Sequence, residues 1–307
     1  MTADSSKTRV AFIAESAWGT TPATPTFLTM RRTNGNMRTN KTVVRSEEIQ
    51  LDRNTRQVLQ TGQDASGNYD FELSYGSFDA LLEAALQGAW TTDVLTVGGA
   101  RKPFTFEETI DLNDGTFSYS RFVGCEVNSL SLNFASRDTV KGSVALMGKS
   151  EALDTAIIAG ATYTAPNTNT IETAVNFAGL AVHSLAPLPR VKSISLQIAN
   201  GLRVRDGLGD LNSAQFGSGK CAITGSIEAY FSSNALYQAV LDHGAGALEF
   251  TVGAVTAKKY AFALPAVRFL DGARVIGGST SDVMVSIPFE AEGTAAAPSI
   301  SIERAVA

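Results

Sequence analysis

Two stretches of the chain repeat one order of signals, and that repetition narrows the folds open to it. In the first, Gly67 leads a run with Tyr69, Phe71 and Leu73 at alternate positions, and Phe78, Leu81, Leu82 and Leu86 follow at helical spacing. In the second, Gly225 leads Ile227, Ala229 and Phe231, and Leu236, Val240 and Leu241 follow. At an offset of 225 − 67 = 158 residues, Tyr69 meets Ile227, Leu73 meets Phe231, Phe78 meets Leu236 and Leu82 meets Val240. Asp70 meets Glu228 on the opposite strand face. Downstream, Val97 and Gly98 parallel Val252 and Gly253, and Phe104 and Phe106 parallel Tyr260 and Phe262. The pattern reads as two copies of one strand–helix–strand unit. It predicts a mainly β chain of two tandem domains, each with one short flanking α-helix.

Alternation elsewhere supports a sheet-rich chain. Leu130, Leu132 and Phe134 share one strand face, as do Ile194, Leu196 and Ile198. A late strand ends near Phe289, where Pro288 predicts an edge or a strand end. Ser77 is placed to cap the first helix and Gly244 to terminate the second, which starts at Asn234. The predicted division is a first domain over 1–150, a linker over 151–189 rich in Ala, Thr and Asn, and a second domain over 190–307. The last of these carries a C-terminal strand around Ile300–Ile302, offered to a neighbour or folded back. Residues 35–66 read as a long polar loop with Glu47, Glu48, Asp52, Arg53 and Arg56. A loop of that length inside a compact domain is functional or disordered.

Composition excludes more than it assigns. Charged residues are 18% of the chain and the net charge is −5, so no basic cluster is at hand to neutralise nucleic-acid phosphates. Cys125 and Cys221 lie far apart, match no metal spacing and read as free, half-buried thiols. The N-terminus has no apolar core of a secretory signal, and no apolar run is long enough to span a bilayer. His183 and His243, the two histidines, have no adjacent nucleophile motif and read as surface residues. The pairs Glu47–Glu48 and Glu107–Glu108 point to opposite faces of any strand, which predicts solvated edge charge and not a catalytic dyad. No enzyme activity, metal or cofactor is expected.

The order and spacing of several patterns resemble the phage tail tube family. They are Glu15, Trp18, Gly19 and Pro22 near the start, the Gly67–Tyr75 strand with Phe78 and Leu82, Phe104–Glu107, and Phe122–Leu130. In the second half they are Val191–Leu196, Thr224–Glu228 and the Leu264–Pro265 strand. The resemblance covers most of the chain and implies two tandem tail-tube-type β-sandwich or barrel-like domains, in subunits that close into rings. Those rings stack into a hollow virion tail, made in the host cytoplasm, through which DNA passes without being processed. The resemblance also implies tape measure and tail terminator proteins as partners. Rings of one-domain subunits would hold six copies. If this chain carries two such domains, three chains would close a ring of approximate sixfold symmetry. Glu47, Glu48, Arg53 and Arg56 are then candidate inter-ring contacts, and Asp70 and Glu228 candidate lumen-facing residues. The acidic balance predicts a lumen that repels phosphate. The competing reading from another class is a carbohydrate-binding or adhesin-like β-sandwich module, which would need an open aromatic platform from Trp18 or Trp90.

Overall fold

The computed structural model describes residues 2–174, 177–294 and 296–306. The strands of the first half are β1 (Thr8–Ala14), β2 (Thr26–Thr29), β3 (Arg32–Arg45), β4 (Val58–Glu72), β5 (Val94–Thr96), β6 (Phe104–Asp111), β7 (Phe117–Ala135) and β8 (Lys141–Gly148). Then come β9 (Ser150–Asp154), β10 (Thr162–Thr164), β11 (Phe177–Val182), β12 (Val191–Ala199), β13 (Arg203–Arg205), β14 (Gln215–Gly217) and β15 (Ala222–Tyr230). The last are β16 (Ala245–Val252), β17 (Tyr260–Phe269), β18 (Ala273–Val275), β19 (Met284–Ala291) and β20 (Ser301–Arg304). Two helices, α1 (Asp79–Leu86) and α2 (Asn234–Leu241), complete the described chain. The protein is thus mainly β with two short helices, and its strands do not close into a barrel within one chain.

One long sheet runs through both halves. Its order is β3, β4, β8, β7, β12, β15, β19, β18, all antiparallel. The alternation read from the sequence decides its faces: Tyr69, Phe71, Leu130, Leu132, Ile194, Leu196 and Ile227 are all buried on one side. A second layer covers that side. It consists of β10, β2, β1, β6 and β9 around the first part of β7, and of β11, β16, β20 and β5 around the first part of β17. The order of pairing recurs. In the first half it is β1, β6, β7, β8, β4, β3, and in the second β11, β16, β17, β19, β15, β12. A single hydrophobic cluster joins the halves, from Val10 to Ile302.

Two glycine positions explain local geometry. Gly67 and Gly225 lie where a neighbouring strand's carbonyl comes within 2.2 Å and 2.1 Å of a would-be Cβ, from Asn36 and Ser195 respectively. No side chain fits between strands at that distance, so both copies of the unit need glycine there. At Gly124, φ is +63°. This residue bends β7 between Val123, which pairs with β9, and Glu126, which pairs with β8.

Several sequence expectations need correction. Residues 35–66 are not a loop: all but the tip belongs to β3 and β4, a long hairpin whose register shifts once on the way, between Thr42 and Val43. Polar residues misled the reading because both faces of the distal hairpin are solvated, so no hydrophobic alternation marks it. Pro288 is not on an edge. It lies inside β19, opposite Ser226, where the other neighbour breaks between β17 and β18 and Leu270 donates to its carbonyl at 2.9 Å. Ser77 does not cap α1, whose N-cap is Phe78. Its Oγ accepts the Asn167 N–H at 2.8 Å and so pins residues between the halves. At the end of α2 the left-handed position is taken by His243 (φ 48°), not Gly244. Residues 151–189 carry β9, β10 and β11, which pair with β7, β2 and β16, so this connection is woven into the second layer of both halves. The C-terminal strand β20 folds back onto β17 and β5 of its own chain, and Arg304 there bonds Asp79 at 2.7 Å and Asp93 at 2.8 Å.

Candidate functional site

The outer face of the long sheet is built from the residues that alternate with the core. One row crosses six strands: Asp70, Ser143, Ser131, Gln197, Thr224, Glu290. The next runs Glu72, Lys141, Asn133, Ser195, Ser226, Pro288. Ser195 and Ser226 hydroxyls meet at 2.8 Å across the strands. Small polar side chains leave the face concave, with a hollow of about 800 Å³ over Ser131, Ser143, Ser195 and Ser226.

Asp70 and Glu228 share this face. Asp70 stands between Asn34 and Ser143, and Glu228 between Ser193 and Ser286. The Ser193 hydroxyl donates to Glu228 Oε2 at 3.2 Å. The two acids occupy matched positions in the two halves, as the offset predicts. The face is not uniformly acidic, however. Lys141 is held by Asp138 at 2.7 Å and Glu72 by Arg31 at 3.3 Å, while Arg190 and Lys192 border the hollow around Glu228 and Asp282. Charges are few and of both signs, because the alternation that sets the face selects polarity and not sign.

Glu47, Glu48, Arg53 and Arg56 all lie exposed at the tip between β3 and β4. Arg56 bonds Asp52 at 2.8 Å, and the other three make no ion pair with one another among the described residues. The tip also presents Ile49 and Leu51 fully to solvent, and Val43, Val44, Val58 and Leu59 are exposed just below it. The charged residues dominate this stretch in one dimension, and the apolar cluster emerges only where the hairpin leaves it in solvent. β8 supports β4 only from Ala65 to Glu72. The hairpin beyond it therefore projects by about 20 Å at roughly 3.3 Å per residue. A loop of the second half braces its base, where Ser213 donates its N–H to Asp64 Oδ1 at 2.9 Å.

The groups that could have carried chemistry are structural. Glu107 and Glu108 are not solvated edge charge, because β6 is a central strand between β1 and β7. Glu107 is fully buried and accepts from Arg121 Nε at 2.8 Å and from the Tyr163 hydroxyl. Glu108 accepts the Tyr69 hydroxyl at 2.6 Å and the Met37 N–H at 2.9 Å. His183 is half-buried, not a free surface residue. Its ring stacks on Phe269 at 4.0 Å and its Nε2 meets the Val267 carbonyl at 2.9 Å, while His243 Nδ1 meets the Phe269 carbonyl at 3.0 Å. Burial lowers the pKa of His183. Its neutral form is thus favoured in the folded state. The resulting stability is complete above the ordinary histidine range and falls as the pH drops through it. A His183→Phe variant is expected to flatten this part of the stability–pH curve; a denaturant midpoint that falls as steeply between pH 7 and 5 as in the wild type would contradict it.

Cys125 is fully buried and Cys221 half-buried, with burial pushing the Cys221 thiol up to about 11. Trp18 packs edge-on against Phe216 and under Lys149, and Trp90 lies under Arg304. Neither offers an open stacking platform for a sugar. Among the described residues no group of three His, Cys, Asp or Glu side chains could hold a metal ion, and no helix is long and apolar enough to cross a membrane.

The features on view are a smooth polar sheet face, strand edges left open and a projecting arm. A family model described as phage tail tube protein matches residues 5–291. The chain belongs to the phage tail tube protein family. It is a structural, β-rich component of the virion tail, from a family that self-associates into a tube and is typically non-enzymatic. No curated protein matches the chain.

Proposed function

We propose that this tail tube protein closes into rings of three chains, stacks those rings into a hollow tube and lets DNA pass through it during ejection. The observation that carries the reading is the recurrence of one pairing order in the two halves of a single sheet, β8–β4–β3 and β19–β15–β12. Each half is then one tube-type domain, residues 151–189 connect them, and three chains supply six domains around the ring. Closure requires each half to offer an edge to the next at nearly the same rotation, within and between chains. The concave serine-rich face lines the lumen in this arrangement, with Asp70 and Glu228 at equivalent places on it. Passage without adhesion rests on sparse, mixed charge and on the lack of a basic stripe that would exchange counterions with phosphates. The hairpin arm reaches the adjacent ring, and tape measure and terminator proteins meet the lumen and the tube end. Synthesis in the host cytoplasm suits two unpaired cysteines.

Native mass measurement of isolated rings, with electron microscopy of the same preparation, tests the proposal. Three chains per ring and visible tubes are expected. Six chains per ring would overturn the two-domain reading, and a monodisperse monomer under all assembly conditions would overturn the tube-forming role. Asp70 and Glu228 on the outer wall of the tube would refute their assignment to the lumen.

A further inference from the structure

The pairing between the halves supplies a template for pairing between chains. Within the chain, β12 docks antiparallel on the end of β7, with Leu196 opposite Leu132 and Ser195 opposite Asn133. The matched strands of the opposite halves follow from the register. Met37 of β3 stands opposite Gly67 as Leu196 stands opposite Gly225, so β3 corresponds to β12. β8 corresponds to β19, through Leu146 opposite Gly67 and Phe289 opposite Gly225. Leu132 then matches Arg274, since each faces the equivalent residue, Gly142 in β8 and Val285 in β19. The end of β7 therefore corresponds to β18. Within the chain the β7 end is covered by β12. Its counterpart β18 pairs with β19 alone, and the counterpart of β12, which is β3, pairs with β4 alone among the described strands.

We propose that the open edge of β18 docks antiparallel on the open edge of β3 of a second copy of this chain, in the register inherited from β12 and β7. That register sets Met37 opposite Arg274, Asn36 opposite Val275, Arg38 opposite Ala273 and Gly35 opposite Ile276. The inference rests on the ring reading above and specifies its joint.

Exposure fits this occupant. All three residues of β18 are exposed, and Val275 (51%) and Ile276 (76%) place apolar surface beside an unpaired edge. Such an edge invites association unless a partner covers it. The matched residue of Ile276 is Phe134, which is buried against Phe250 and Phe262 once β12 is in place. Charge also fits: β3 presents exposed Arg38 and Lys41, and exposed Asp271 and Asp282 flank β18. In the free subunit two groups of β3 are held by side chains, the Met37 N–H by Glu108 and the Gly35 carbonyl by Arg32 Nη1 at 2.7 Å. Docking exchanges these contacts for backbone bonds, so the edge stays guarded until the correct strand arrives.

Cysteine pairs read the register directly, because opposed residues of an antiparallel pair lie within disulfide reach. The tests use the full chain with Cys221→Ser and either Asn36→Cys with Val275→Cys or Arg38→Cys with Ala273→Cys, all at exposed or edge positions. Oxidation of assembled rings is expected to link chains into a ladder ending at three on non-reducing electrophoresis. Arg38→Cys with Val275→Cys, displaced by two residues, is expected to link at least tenfold less. Rings and tubes that form normally while neither in-register pair links would overturn the joint and leave the tube role standing. Preferential linking of the displaced pair would overturn the register. Failure of the wild type to form rings would instead overturn the function on which the joint rests.

Discussion

Replacing Glu107 with alanine is expected to destabilise the subunit by about 3–5 kcal/mol, the usual cost of breaking a buried ion pair from one side. The carboxylate is fully buried on β6, and the Arg121 side chain beside it is only 10% exposed. Arg121 also reaches Asp154 at 2.9 Å and the Ala156 carbonyl at 2.6 Å, so it ties β9 and the chain after it to the central strands. Arg9 approaches the same carboxylate at 3.8 Å and stacks its guanidinium over the Tyr163 ring at 3.5 Å. Removing Glu107 leaves the buried Arg121 cation with only the half-exposed Asp154 as a charged partner and leaves the Tyr163 hydroxyl without its acceptor, so the connection between the halves loses its anchor. Changing both partners, Glu107→Leu with Arg121→Met, is expected to recover much of the loss, because no uncompensated charge then remains at the Arg121 position. Urea unfolding of the two variants measures this; a cost below about 1 kcal/mol for the single change would show that the network does not anchor the connection between the halves.

Deleting the tip of the arm, residues 47–56, and joining β3 to β4 by a short turn is expected to leave a folded subunit that forms no long tubes. The cut must stay in the tip. Further down, Ala65, Tyr69 and Phe71 of β4 are core residues, and removing them would unfold the first half. Nothing in the rest of the fold leans on the tip, whose residues are exposed throughout, so stability is expected to change little. What is lost is the end of the arm, with Ile49 and Leu51 available for burial and Glu47, Glu48 and Arg53 available to set register across an interface. A milder variant, Ile49→Ser with Leu51→Ser, separates apolar burial from charge pairing. It is expected to shorten tubes severely, with rings still forming. Tubes of normal length from the deletion variant, seen by electron microscopy, would show that stacking does not depend on the arm.

The elements of this fold differ in how much of them is legible in the sequence. Strands with one buried face announced themselves, because a period of two follows from the pleat and needs no tertiary information. Tyr69, Phe71 and Leu73, and Ile194, Leu196 and Ile198, went to the core face as their spacing required, and Asp70 and Glu228 went together to the other. The match between Gly67 and Gly225 was legible too, since both obey the same steric demand from a neighbouring strand. The two helices were visible in their apolar spacing, but their ends were not. Capping depends on where a hydroxyl finds its partner, and Ser77 found Asn167 in a distant segment.

What the sequence by itself determined is a mainly β chain, the alternation of its strands and the recurrence of one strand–helix pattern at two places. Those properties are local or nearly so. The tertiary structure decided which strands stand next to each other, and hence which groups are buried. Glu107 looks like surface charge in one dimension and becomes a buried anchor only because β1 and β7 flank its strand. Residues 35–66 look like a loop because neither face of the distal hairpin is buried, yet strand-to-strand hydrogen bonds hold them in register. The open edges of β3 and β18 are likewise invisible to pattern, since an edge is defined by a neighbour that is absent and not by a residue that is present.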